Sequence, residues 1–129
     1  ARPRPPNPSL SWRSRRNPPG CWWPMPTSSV SATAVAGASR AVAPEDAAAQ
    51  TTFILDKILA AFSALGATAN DVVRTRIFIT DEADVFDISR AHGRVFSDIK
   101  PANTLVVVAG LIGDHKVEIE AEALLQGDA

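Results

Sequence analysis

The chain has a single cysteine, Cys21, so it cannot form an intrachain disulfide. This sparing use of cysteine is typical of a reducing compartment, and we expect a cytoplasmic protein. No apolar run approaches the roughly 20 residues that a membrane-spanning helix needs, so no membrane partner is expected. The sequence also lacks a Cys-x-x-Cys pair and a second histidine near His92 or His115, which argues against a metal site. Surface or helix-face positions are the favoured interpretation of both histidines.

Acidic residues are absent from the first 44 positions, which carry six arginines, whereas residues 45–129 hold seven basic and fourteen acidic residues. Eight of the ten prolines and all three tryptophans lie in the first 26 residues. Proline at this density cannot sustain a helix or a sheet ladder, so we predict an irregular segment over residues 1–29 and a folded domain over residues 30–129. The segment could be a basic, aromatic arm for nucleic acid, but a tail without a partner is the favoured interpretation.

The spacing of apolar residues predicts two helices. Pro44-Glu45-Asp46 is typical of a helix start, and Gly66 stands where a C-terminal cap belongs, so the first helix should run to about Leu65. The second is predicted over Asp81–Phe96, where acidic residues at the start suit the helix macrodipole. That dipole explains the acidic cluster without a catalytic role.

Alternation and β-branched residues predict four strands: Val30–Val35, Val72–Thr80, Asn103–Ala109 and Lys116–Leu125. Strands and helices therefore interleave in the order β, α, β, α, β, β once the last two strands are counted separately. A single sheet with two helices on one face leaves its other face bare. We expect an α/β fold of this kind to cover that face by forming a symmetric oligomer.

The last two strands are expected to pair, since only a short link carrying Gly110 and Gly113 joins them. Side chains alternate across a strand, so Glu118, Glu120 and Glu122 should share one face of the final strand. If another subunit covers that face, each buried glutamate needs a hydrogen-bond donor or an altered pKa. This row is where we expect the chemistry.

An ordered set of short motifs resembles the Rid family, the reactive intermediate deaminases that were formerly called the YjgF or L-PSP endoribonuclease family. The resemblance is best over Ala43–Leu125, and no single motif carries it. The motifs are Val30-Ser31-Ala32, Ala49-Gln50-Thr51, Ala67–Val73, Phe78-Ile79-Thr80-Asp81, Phe96, Lys100-Pro101-Ala102 and Val117–Ala121.

The resemblance implies a chorismate-mutase-like fold, with one sheet and two helices packed on one face, assembled as a homotrimer with three clefts between subunits. In active members of the family, an arginine two residues after the loop proline binds the carboxylate of an imine or enamine. Water then attacks the C=N carbon, giving a 2-keto acid and ammonia. The resemblance implies no cofactor.

Two departures from the family pattern affect this expectation. Asn103 stands where the family has the arginine, so the bidentate charged clamp is absent. The chain also has no tyrosine, although the family's N-terminal hairpin brings one to the cleft. Glu120 does match the family glutamate that positions the water. We therefore expect Glu120 to be the catalytic residue, with Asn103, Ser31, Ala32 and Thr104 as ligand-binding residues.

We predict a trimer that binds or hydrolyses a small imine, enamine or related carbonyl compound, which need not carry a carboxylate. The alternative is a trimer that binds a ligand or a partner without catalysis, and Asn103 favours it. Endoribonuclease activity is the least favoured interpretation, because only the basic arm suggests it.

Overall fold

The computed structural model describes residues 27–38 and 40–126. Only residues 27–29 of the predicted irregular arm are described, and they form the start of a strand instead. The rest of the arm, with Cys21 and the three tryptophans, lies outside the described residues, and its conformation stays a prediction. Residues Ser29–Leu125 form a compact unit. The candidate site is built wholly within this unit.

The elements follow the predicted order, with bounds that differ by a few residues. They are β1 (Thr27–Val35), α1 (Ala47–Ala64), β2 (Val72–Ile79), α2 (Val85–Phe96), β3 (Ala102–Val107) and β4 (Val117–Gln126). Two short 3₁₀ turns, Ala69–Asp71 and Glu82–Asp84, precede β2 and α2. The second helix therefore starts four residues later than predicted, because Asp81 caps the 3₁₀ turn by accepting a hydrogen bond from the Ala83 amide.

Helix α1 has the ends that its sequence predicts. The Asp46 carboxylate accepts a 2.9 Å hydrogen bond from the Ala49 amide, which satisfies one of the free N–H groups at the helix start. At the other end Gly66 has φ +86°, a left-handed conformation that glycine adopts without a Cβ clash. The Gly66 and Ala67 amides then donate to the Ser63 and Phe62 carbonyls, which is a Schellman motif.

The four strands form one sheet in the order β1-β4-β2-β3, with β2 parallel to β3 and antiparallel to β4. The predicted pairing of the last two strands is therefore wrong, since β2 lies between them. The burial pattern agrees with this order: β2 buries every second residue from Thr75 to Ile79, whereas β3 is exposed at all positions but one. Strand β2 therefore lies inside the sheet with one face in the core, and β3 lies at the edge.

One core joins the helices to one face of the sheet. Helix α1 contributes Ile54, Leu55, Ile58 and Phe62, α2 contributes Ile88 and Phe96, and the sheet contributes Ile77, Ile79, Val117, Ile119, Ala121 and Ala123. The opposite face of β2 and β4 is only partly buried. This arrangement confirms the predicted α/β fold with two helices and one sheet. No helix among the described residues is long and apolar enough to cross a bilayer.

Candidate functional site

Asn103 lies on the edge strand β3, opposite Thr75 of β2 in the parallel register. Its Nδ2 donates a 2.8 Å hydrogen bond to the Thr75 hydroxyl and lies 3.5 Å from the Thr75 carbonyl oxygen. Thr75 is fully buried and Asn103 is exposed. Because paired residues of neighbouring strands project to the same side, Asn103 lies on the face of the sheet that the helices cover.

The Thr75 hydroxyl also contacts helix α2, where its Oγ1 lies 2.9 Å from Nε2 of His92. The His92 ring is half-buried and tilts against Phe96, with the ring centroids 4.7 Å apart. Burial disfavours the imidazolium and lowers the pKa of His92 from 6.5. Asn103, Thr75 and His92 thus form a chain of hydrogen bonds from the sheet edge into the protein.

Glu120 occupies the opposite face, in register with Arg76 of β2. The Arg76 Nε lies 3.1 Å from Glu120 Oε2, and its Nη2 lies 3.7 Å from Glu122 Oε1. The three side chains are 40 to 44% exposed in the single chain. The predicted row of glutamates on one face of β4 is therefore confirmed, and Arg76 neutralises part of it.

The remaining predicted ligand-binding residues also lie on separate parts of the sheet. Thr104 follows Asn103 on β3 and pairs in register with Arg76, so it shares the face of Glu120. Ser31 and Ala32 lie on β1, at the other edge of the sheet. Three strand spacings, about 14 Å, separate β1 from β3. A single chain therefore does not bring the five predicted residues together, and their roles stay predictions.

Sequence reasoning missed Thr75 and His92 as parts of this site. His92 does lie on a helix, as predicted, but its contact with Thr75 depends on how α2 packs on the sheet and has no signal in the spacing. Thr75 does have a sequence signal: it alternates with Arg74 and Arg76 in β2 and so falls on the apolar face of Ile77 and Ile79, where a buried hydroxyl needs a hydrogen-bond partner.

The surface position predicted for His115 is wrong, because the residue is only 5% exposed. Its Nε2 lies 3.4 Å from the Ala38 carbonyl oxygen, beneath the loop that precedes α1. The neighbouring Asp114 accepts a hydrogen bond from the Ala41 amide, and this bond lowers the pKa of its carboxyl. These contacts hold two loops together, so the histidine has a structural role.

Lys116 joins the same region to the acidic cluster before α2. Its Nζ lies 3.2 Å from Asp84 Oδ2, and this hydrogen bond raises the pKa of the Lys116 ammonium. The Lys116 amide also donates to the Gln50 side-chain oxygen, 2.9 Å away. Within residues 27–38 and 40–126, no three histidine, cysteine or carboxylate side chains form a group that could hold a metal ion.

Comparison with known families matches residues 30–125 to the endoribonuclease L-PSP family. Among curated proteins, 2-iminobutanoate/2-iminopropanoate deaminase of Escherichia coli K12 is 36% identical over 84 residues, or 63% of this chain and 66% of that protein. Protein DfrA of Myxococcus xanthus is 35% identical over 79 residues, or 61% of this chain and 60% of that protein. The matched part of the chain thus spans less than two thirds of these relatives.

Solved structures give the same result at the level of the fold. A member of the YjgF/YER057c/UK114 family from Mycobacterium tuberculosis superposes with a TM-score of 0.67 at 36% identity, over 78% of this chain and 80% of that one. The structure of Escherichia coli TdcF with bound serine superposes with a TM-score of 0.69 at 28% identity, over 77% of this chain and 82% of that one.

Proposed function

Because the chain belongs to the endoribonuclease L-PSP family, which includes the YjgF and Rid proteins, we propose that it hydrolyses a small imine or enamine. The site is a cleft between subunits of a homotrimer, and it contains Glu120 and Asn103. A relative that is 36% identical and is named a deaminase supports this class of reaction. We place the reaction in the cytoplasm, consistent with the lone cysteine.

The separation of Asn103 from Glu120 carries the proposal of a shared cleft. In one chain they lie on opposite faces of the sheet, and Ser31 and Ala32 lie on the far edge strand. A small ligand cannot contact all of them in one subunit. Two subunits that meet edge to face would unite Asn103 of one with Glu120 of the other, and would also cover the partly exposed glutamate face.

Glu120 is suited to hold the attacking water. Its carboxylate accepts a hydrogen bond from water, while Arg76 at 3.1 Å fixes the other side of the group. Attack by the water oxygen on the C=N carbon, followed by proton transfer to nitrogen and loss of ammonia, converts an imine to a ketone. One water molecule is consumed and one ammonia is released, so no redox partner is needed.

Asn103 makes the anion-binding half of the site weak. An amide carries no charge and cannot neutralise a ligand carboxylate, whereas a hydrogen bond from a charged donor is worth about 1.5 to 3 kcal/mol. The Escherichia coli relative is named for two imino acids that carry carboxylates. We infer that this chain handles such substrates poorly and that a carboxylate is not required.

The test is a competition between the purified full chain and semicarbazide for an imine generated enzymatically, such as 2-aminoacrylate or a bulkier amino-acid imine. We expect weak but measurable competition, which Glu120→Ala abolishes and the neighbouring Glu118→Ala leaves unchanged. Asn103→Arg should raise kcat/KM by about tenfold or more, since it restores the charged donor. No competition by wild type and by Asn103→Arg would overturn catalysis.

A non-catalytic trimer that binds a small ligand is the second candidate. The hydrogen bond that Asn103 donates inward to Thr75 favours this candidate. It commits the amide to a contact within the protein, at a position where a catalyst of this class needs a cationic side chain. Saturable binding of a small carbonyl compound without turnover would support this candidate. RNA cleavage rests on the family's name and the basic N-terminal residues, and salt-sensitive RNA binding would be its first sign.

A further inference from the structure

A series of hydrogen bonds joins Asn103, Thr75 and His92. The chemistry of each group determines which one donates and which one accepts. The Thr75 carbonyl is an acceptor only, so the amide nitrogen of Asn103 faces Thr75 and the amide oxygen faces away. The Thr75 hydroxyl accepts from Asn103 Nδ2 at 2.8 Å. Its own proton then needs an acceptor, because the side chain is fully buried.

Nε2 of His92, 2.9 Å from the Thr75 hydroxyl, supplies that acceptor. The imidazole is then neutral, with its proton on Nδ1. Burial of the ring keeps it neutral by lowering its pKa, which agrees with this arrangement. Each of the three hydrogen-bonded side chains therefore has one orientation, and the amide of Asn103 is fixed by the other two.

We propose that Asn103, oriented by Thr75 and His92, presents its Oδ1 as a fixed hydrogen-bond acceptor. The ligand group received there is then a neutral donor, such as a carboxamide or a hydroxyl, and not a carboxylate. Among the residues that the structure describes, none donates to Oδ1. The inference deepens the proposed function and depends on its placing Asn103 in the cleft.

Thr75 and His92 are positioning residues in this scheme. Without the hydroxyl, the amide of Asn103 loses its 2.8 Å partner and keeps only the 3.5 Å contact with the backbone carbonyl of residue 75, so its orientation is held less firmly. Apart from that carbonyl, the described residues offer no other hydrogen-bond partner to the Asn103 side chain. Selectivity between donor and acceptor ligands is then reduced even though Asn103 remains.

The binding experiment compares pyruvamide with pyruvate, two small carbonyl compounds of nearly equal shape, on the full chain by NMR titration. We expect pyruvamide to bind at least about tenfold more tightly than pyruvate, because a carboxylate would face the amide oxygen without a cation. Asn103→Arg should reverse the preference. Thr75→Val should reduce the preference to about twofold or less, whereas Thr52→Val, a control on the exposed face of α1, should leave it unchanged.

A second readout detects the direction of the hydrogen bonds that join Asn103, Thr75 and His92. The ¹⁵N shifts of the only two histidines should show His92 as the Nδ1–H tautomer at neutral pH, and Thr75→Val should shift it toward Nε2–H while His115 serves as the internal reference. Equal or tighter binding of pyruvate, no saturable binding of pyruvamide, or an Nε2–H tautomer in wild type would each overturn the inference.

These outcomes are separable from the test of hydrolysis. Preferred binding of pyruvamide with no imine turnover would support the inference and overturn catalysis. Turnover of carboxylate imines together with tighter binding of pyruvate would support catalysis and overturn the inference.

Discussion

Asn103 and Glu120 lie on opposite faces of one sheet, with β2 between their strands. Asn103 bonds to Thr75 on the side that the helices cover, whereas Glu120 pairs with Arg76 on the side that they leave open. Each face of β2 therefore presents one half of the candidate site. Under the proposed function the two halves serve one ligand where two subunits meet, so the proposal makes the oligomer part of the chemistry.

The ion pair between Arg76 and Glu120 should be weak in an isolated chain, because both side chains are about 40% exposed. A double-mutant cycle with Arg76→Ala and Glu120→Ala, followed by urea unfolding, should give a coupling free energy of about 0.2 to 1 kcal/mol. The matched cycle with Arg76→Ala and Glu118→Ala should give a value close to zero. Equal coupling in both cycles would show that Arg76 does not select Glu120.

Features of the fold that depend on neighbouring residues could be predicted from the sequence, whereas contacts between distant residues could not. Alternation along β4 is local, and it correctly placed Glu118, Glu120 and Glu122 on one face. The helix ends at Asp46 and Gly66 were also predictable, since caps are formed by neighbouring residues. Strand order was not, because the inner place of β2 depends on pairing with strands that are distant along the chain.

The contacts of the two histidines show the same limit. The hydrogen bond from Thr75 to His92 joins a strand to a helix that packs on it, and no motif encodes that pairing. His115 is buried by a loop from the other end of the chain, near Ala38. Its isolation in the sequence suggested a surface residue because its partner is distant along the chain.

The N-terminal cap of α1 gives a direct test of the helix start. Asp46→Ala removes the acceptor of the Ala49 amide and should lower the free energy of unfolding by about 1 kcal/mol. Asp56→Ala, an exposed change within the same helix, is the control and should alter it by less than about 0.5 kcal/mol. Urea unfolding measures both. A loss at Asp56 as large as that at Asp46 would refute the capping role.

Two glycines should respond in opposite directions to substitution by alanine, although neither has a neighbour within 4 Å of an added Cβ. Gly66→Ala should destabilise the fold by about 1 kcal/mol, because φ is +86° there. Gly93→Ala, within helix α2, should stabilise it by about 0.5 to 1 kcal/mol through lower backbone entropy in the unfolded chain. Thermal and urea unfolding decide the signs, and the same sign for both would contradict the assigned backbone conformations.

The lowered pKa of His92 makes stability depend on pH in a defined direction. In the window below 6.5 the unfolded chain binds the proton more readily than the folded one, so stability falls as pH decreases toward the folded pKa. His92→Gln should remove this component between pH 7.5 and pH 5. The comparison is urea unfolding of wild type and variant across that range. Parallel pH profiles would show that His92 does not contribute.

The most direct measurement of the intersubunit cleft is complementation between two inactive variants. Asn103→Ala and Glu120→Ala chains carrying different tags are co-expressed, and trimers bearing both tags are isolated. Every such trimer then contains one cleft with both native residues if each cleft draws Asn103 and Glu120 from different subunits. We expect about one third of wild-type imine hydrolysis from these trimers, and only background from either variant alone. Mixed trimers that remain at background would contradict a cleft shared between subunits.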